Sequence, residues 1–152
     1  MPAIAIPLSL LGLVPLVLFA FGAVGHNPDS AERMLVALID YAALIMAFAG
    51  GVHWGLALLP EALRPNLRFG AGVLPLIVAW VALILAQMVS PSVALVVLIA
   101  GYLATVLAEH RASQRLMTPP RYVWIRWGFT FVAMVMMVMV LVLRGVGQTI
   151  VL

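Results

Sequence analysis

Apolar runs long enough to cross a bilayer recur along this chain, divided by short polar breaks, and this pattern excludes nearly every water-soluble fold. A spanning helix needs roughly 20 apolar residues. The runs predict helices over about 4–24, 34–59, 69–89, 91–108 and 123–143. Of the 152 residues, 66% are hydrophobic and 9% charged. A soluble domain carries about 25% charged residues, so this chain lacks the polar surface to face water all round. The expected fold is all-α: one polytopic membrane bundle of five transmembrane helices over residues 1–152.

The breaks carry the turn chemistry. Asn27-Pro28 is a turn signal, and Asp29 or Ser30 can cap the second helix. Pro60 and Pro65 flank the next break, and Pro91 fits the first position of the fourth helix. Pro15 and Pro75 fall inside the first and third helices, where they predict kinks. Before the first apolar run there is no basic residue of the kind that opens a secretory signal peptide. That run is expected to be retained as a helix.

Arginine placement gives the orientation. Arg64, Arg68, Arg111, Arg115, Arg121 and Arg126 fall on one side, with Arg33 and Arg144 on the other. Basic loops stay in the cytoplasm. The expectation is a bacterial inner-membrane protein, N-terminus in and C-terminus out. Trp54, Trp124 and Trp127 fall near the arginine-rich boundary, where indoles favour the interface. The net charge of +3 is too small and scattered for nucleic acid.

Gly12-Leu-Val-Pro15-Leu16 reappears as Gly72-Val-Leu-Pro75-Leu76, and the stretch from Tyr41 to Ala47 is echoed from Tyr102 to Ala108. The nearly equal offsets suggest a parallel repeat of two helical hairpins, with a peripheral fifth helix.

The second helix carries most of the candidate residues. At 100° per residue, Asp40, Ala43, Ala47, Gly50, Gly51 and Trp54 share a side. Ala47, Gly51 and Gly55 follow the small-xxx-small spacing that lets helix backbones approach. This side is expected to face the bundle. Asp40 falls roughly 9 Å inside the predicted helix start by helical rise, and its plain reading is a pair with Arg33 or an interhelical hydrogen bond. The sharper reading is a proton or cation site.

His53, Glu109 and His110 share the arginine-rich end, and convergence of all three would suit a metal or a lipid- or quinone-directed enzyme. The commoner outcome is Glu109 paired with Arg64, Arg68 or Arg126. Arg126 and Trp127 read as a snorkelling cation and a belt residue. Met134, Met136, Met137 and Met139 spread around the fifth helix as filler, without the spacing of a metal site. Gln87 and Thr105 are candidates for interhelical hydrogen bonds. The absence of cysteine removes disulfides and thiol chemistry. No nucleophile elbow, zinc-protease, P-loop or dinucleotide motif occurs, no metal site is expected, and no cofactor is specified.

Four stretches, LLGLVPL around Gly12 and Pro15, Tyr41 to Leu58, Phe69 to Trp80, and Pro119 to Thr130, occur in an order that resembles one family. It includes mitochondrial transmembrane protein 69 and the bacterial domain of unknown function 3429. The Gly-Gly-Val-x-Trp-Gly core, Gly50 to Gly55, is the most specific element. The family usually has arginine where this chain has His53. The resemblance implies a small multispanning protein of bacterial inner or mitochondrial membranes, and no activity.

The leading expectation is a non-catalytic accessory, assembly or interaction subunit of a larger membrane complex. Its partners would be the bilayer and another membrane protein or a second copy. The alternative is a small transporter or channel using Asp40, His53 or both. Orientation is directly testable in this cysteine-free chain. Ala62→Cys and Ser113→Cys are expected to react with an impermeant maleimide from one face and His26→Cys from the other. Labelling of Ala62→Cys and Ser113→Cys from opposite faces would refute the topology.

Overall fold

Proline sets the start of most helices. The computed structural model describes residues 5–115 and 120–147. They form α1 (Ala5–Gly22), α2 (Pro28–Ala57), α3 (Pro65–Met88), α4 (Pro91–Gln114) and α5 (Pro120–Gly145), with no strand among the described residues. Four helices open on proline, whose fixed φ suits the first helical position and whose missing N–H is not needed there. Asn27, rather than Asp29 or Ser30, caps α2, its side chain accepting from the Asp29 and Ser30 amides. Ser90 caps α4 by accepting from the Val93 amide at 3.3 Å. Arg64, just before α3, adopts the left-handed conformation with φ 52°.

These starts correct the expected boundaries. α2 begins at Pro28, not near 34; α3 at Pro65, not near 69; and α5 at Pro120, not near 123. α4 continues past 108 to Gln114. Apolar length measures the part of a helix that lies in oil. It misses polar first and last turns such as Asp29–Arg33 and His110–Gln114, whose residues tolerate helix well. α2, α3, α4 and α5 are long and apolar enough to cross a membrane; α1, at 18 residues, is apolar but shorter. Pro15 and Pro75 lie inside α1 and α3.

The helices form a closed ring. α1 packs on α2 and α5, α3 on α2 and α4, and α5 on α4, while α2 also touches α4 across the middle. The expectation of a peripheral fifth helix is therefore corrected: α5 closes the ring between α1 and α4. Leu16, Leu38, Met46, Leu98, Tyr102 and Met137 are fully buried at the centre. Ala20, Ala42, Ala79, Ala82, Ala94 and Ala133 keep the helices close. Tyr41 donates to the Gly12 carbonyl at 2.8 Å, in the turn that Pro15 interrupts. Tyr102, its counterpart in the apparent repeat, donates instead to the Ala42 carbonyl at 2.9 Å.

The α2–α3 contact runs through paired glycines. A methyl group on Gly72 would stand 2.5 Å from Trp54 Cδ1 and 2.7 Å from the Gly50 carbonyl oxygen. One on Gly50 would strike the Gly72 carbonyl. Gly51 and Gly55 have nothing within 4 Å of such a methyl, and both are exposed. The buried face of α2 is centred on Ala42, Met46 and Ala49, about one residue step, or 100°, from the expected one. Of that expected side, Ala43 and Gly50 are buried, Ala47 is half-buried, and Asp40, Gly51 and Trp54 are exposed. For these helices, exposure means uncovered by the chain itself.

Gly50→Ala and Gly72→Ala are expected to destabilise the bundle by about 1–3 kcal/mol through overpacking against backbone. Gly51→Ala should be neutral or slightly stabilising. Thermal unfolding in detergent measures all three, and equal effects at Gly50 and Gly51 would contradict the packing.

Candidate functional site

Among the described residues the buried polar side chains are Arg68, Glu109, Arg126 and Thr130. Three of them share one region. Seven residues separate Tyr102 from Glu109 on α4, two helical turns, so they line one stripe. Tyr122 and Arg126 are four apart on α5 and face the same way. Where the two stripes meet, Arg126 Nε donates to Glu109 Oε2 at 3.2 Å. Its guanidinium carbon lies 5.9 Å from the centre of the Tyr102 ring, a cation–π contact. Tyr122 donates to Glu109 Oε1 at 3.3 Å. From α2, His53 Nε2 comes within 3.6 Å of the same oxygen, an ion pair when the imidazole is protonated.

Glu109 is 1% exposed. An isolated carboxylate in such a place would be very costly, so the compensation by Arg126 and the two hydrogen bonds is what permits its burial. Arg126 Nη2 and Thr130 Oγ1, one turn apart on α5, lack hydrogen-bond partners among the described residues. The snorkelling expected of Arg126 is thus corrected. The guanidinium turns inward because a buried carboxylate on α4 attracts it more than the interface does.

Two cavities of about 390 Å³ flank the cluster. One, between α2, α3 and α4, is lined by His53 and Arg68 at its polar end and by Met46, Leu74 and Val78 deeper in. The other, between α1, α2 and α5, is lined by Tyr41, Tyr122, Arg126 and Phe129. The Glu109 carboxylate joins a wall residue of the first, His53, to wall residues of the second, Arg126 and Tyr122.

The other candidates lie apart. His110 is exposed; its Nε2 is 3.3 Å from Gln114 Nε2 and its ring meets Trp127 edge-on. His53, Glu109 and His110 therefore do not converge, and no group of three potential metal ligands occurs among the described residues. Asp40 is exposed and forms no ion pair among the described residues. The ion pair at this end of the bundle is Arg144 with Glu32 at 2.6 Å, not Arg33 with Asp40. Because α2 starts at Pro28, Asp40 lies about 18 Å along it by helical rise rather than 9 Å. Trp54 donates to the Phe69 carbonyl at 3.1 Å while remaining 48% exposed. Thr105 donates within its own helix, to Gly101 and Tyr102 carbonyls, not across helices. Met137 is core, with Met134, Met136 and Met139 packed beside it.

Pairing with Arg126 is one of the three outcomes expected for Glu109; the burial of both charges against the snorkelling expected of Arg126 was missed. The spacing of Tyr122 and Arg126 on one face, opposite Glu109 at the same end, carries it.

A family model described as protein of unknown function (DUF3429) matches residues 1–142. No curated protein matches the chain, and no solved structure does.

Glu109→Gln is expected to cost about 3–5 kcal/mol by leaving Arg126 buried without its counter-charge. The double variant Glu109→Gln with Arg126→Gln should recover part of that loss. Unfolding titrations of the four proteins measure the coupling, and additive effects would show that the pair is energetically idle.

Proposed function

The chain belongs to the DUF3429 family, and we propose that it serves as a non-catalytic interaction subunit that docks into a larger membrane assembly through the uncovered face of α2. The supporting observation is Asp40, an exposed carboxylate about 10 Å deeper than Arg33 by helical rise. Left facing lipid, a carboxylate at mid-membrane costs on the order of 2.5–3.5 kcal/mol. A neighbouring helix bearing a hydrogen-bond donor or a cation removes that cost. Below Asp40 on the same face, half-buried Ala47 and exposed Gly51 and Gly55 leave room for a second backbone. Interhelical hydrogen bonds beside small residues are the usual means of association in lipid.

In this reading the chain is a five-span protein of a bacterial inner membrane, N-terminus in. Support comes from the apolar course of α1 and from the arginine asymmetry. Kinship with mitochondrial transmembrane protein 69 belongs to the same proposal.

The transporter alternative, using Asp40 and His53, draws support from the cavity at His53. Two facts weigh against it. Asp40 lines neither cavity beside the Glu109 cluster, and Leu38, Leu95, Leu98 and Val140 pack without exposure in the other half of the bundle.

Gentle solubilisation at native expression level, followed by a native gel and mass spectrometry, tests the proposal. The wild-type chain is expected to migrate in an assembly larger than itself. Gly51→Leu with Gly55→Leu should release it as a monomer with thermal stability at or slightly above wild type, because a Cβ at either position meets nothing within 4 Å. Asp40→Asn should weaken association by about 1 kcal/mol. A wild-type chain that runs as a free monomer would end the proposal.

A further inference from the structure

The cavity between α3 and α4 has a chemistry that the docking role does not use. On α4, Gly101, Ala104, Thr105, Ala108, Ala112 and Arg115 recur at three- and four-residue steps and form one face of its wall. Small side chains there leave a slot against Leu74, Pro75 and Val78 of α3, with Met46 and His53 of α2 as the floor. The slot closes where the helices touch. A methyl on Gly101 would stand 2.7 Å from Val78 Cγ1 and 2.8 Å from Met46 Cε. From Gly101 to Ala112 is about 16 Å by helical rise, close to the roughly 15 Å hydrocarbon depth of one leaflet.

The open end is cationic. Arg68, Arg111 and Arg115 line it. None of the three forms an ion pair among the described residues. Arg68 is buried, and its guanidinium is fixed by donating to the Leu63 carbonyl at 2.9 Å and the Leu56 carbonyl at 3.5 Å. The nearby acid, Glu109, is turned to Arg126 and Tyr122 and reaches the slot only through His53, at 3.6 Å, on its floor. An apolar slot one leaflet deep, ending in three unneutralised guanidiniums, matches an anionic phospholipid. We infer that one such lipid binds there, an acyl chain between α3 and α4 and its phosphate against Arg68, Arg111 and Arg115. Basic sites between helices recognise lipid phosphates in this way. The cavity volume of about 390 Å³ lies within the range of small-ligand sites.

The purified full chain in detergent, titrated during native mass spectrometry, tests the site. The probes are phosphatidylglycerol and phosphatidylcholine with identical acyl chains, and inorganic phosphate. One phosphatidylglycerol per chain should be retained in preference to phosphatidylcholine. Arg111→Gln with Arg115→Gln, both at exposed positions, should reduce that affinity about tenfold. Ala104→Trp, also exposed and set in the slot, should block binding while helix content and melting temperature stay at wild-type values. Equal retention of the two lipids, or wild-type affinity in either variant, would overturn the site. Displacement of the lipid by millimolar inorganic phosphate alone would overturn the acyl slot, since a phosphate pocket needs no chain.

Discussion

A carboxylate sealed within an apolar bundle has to be neutralised from nearby, and Glu109 imposes that requirement on three helices at once. Arg126 and Tyr122 reach it from α5 and His53 from α2. Tyr102, two turns away on the same helix as Glu109, lies under the arginine and ties α4 to the α2 backbone at Ala42. Rotating α4 or α5 by a single residue would part Glu109 from Arg126 and leave both charges unpaired, and rotating α2 would withdraw His53 and the Ala42 carbonyl from their partners. The cluster is therefore a register pin for α2, α4 and α5. The glycine pair Gly50 and Gly72 does the corresponding work for α2 and α3 by steric means.

Such pins matter because hydropathy does not distinguish inside from outside here. The buried faces carry Leu16, Leu38, Met46 and Val140, while the uncovered ones carry Leu44, Phe48, Leu74 and Val142. Either set could face lipid at little difference in transfer energy, since lipid tails are as apolar as a protein core. Burial of apolar area thus drives insertion but does not choose the rotation of each helix. Polar pairing and close backbone approach make that choice.

This explains which parts of the fold are legible in the sequence. The number and order of the helices follow from apolar length, and the start of α4 at Pro91 follows from turn chemistry; the starts at Pro28 and Pro65 lie four to six residues before the expected ones, because the polar first turns carry no apolar signal. The packing face of α2 was legible only in part. Gly50 and Gly51 are adjacent, so small-residue spacing supports two faces a third of a turn apart, and only the position of Gly72 selects between them. The place of α5 in the ring was hidden for the same reason: its moderately apolar surface reads equally well as peripheral. Glu109 and Arg126 were individually visible as charges at one end. Their joint burial depends on two helices meeting, which no single segment encodes.

The ring closes between its first and last helices, and this has a consequence for biogenesis. Arg144 donates to the Ala23 carbonyl across 121 positions of sequence. At ribosomal speeds of about 5–20 residues per second, the elongating chain waits on the order of ten seconds before α5 can meet α1. During that interval the bundle is an open arc, and α1 lacks its α5 neighbour. Glu109 leaves the ribosome before Arg126, so the acid waits for its counter-ion as well. α5 therefore completes two things at once, the neutralisation of Glu109 and the closure of the ring onto the end of α1.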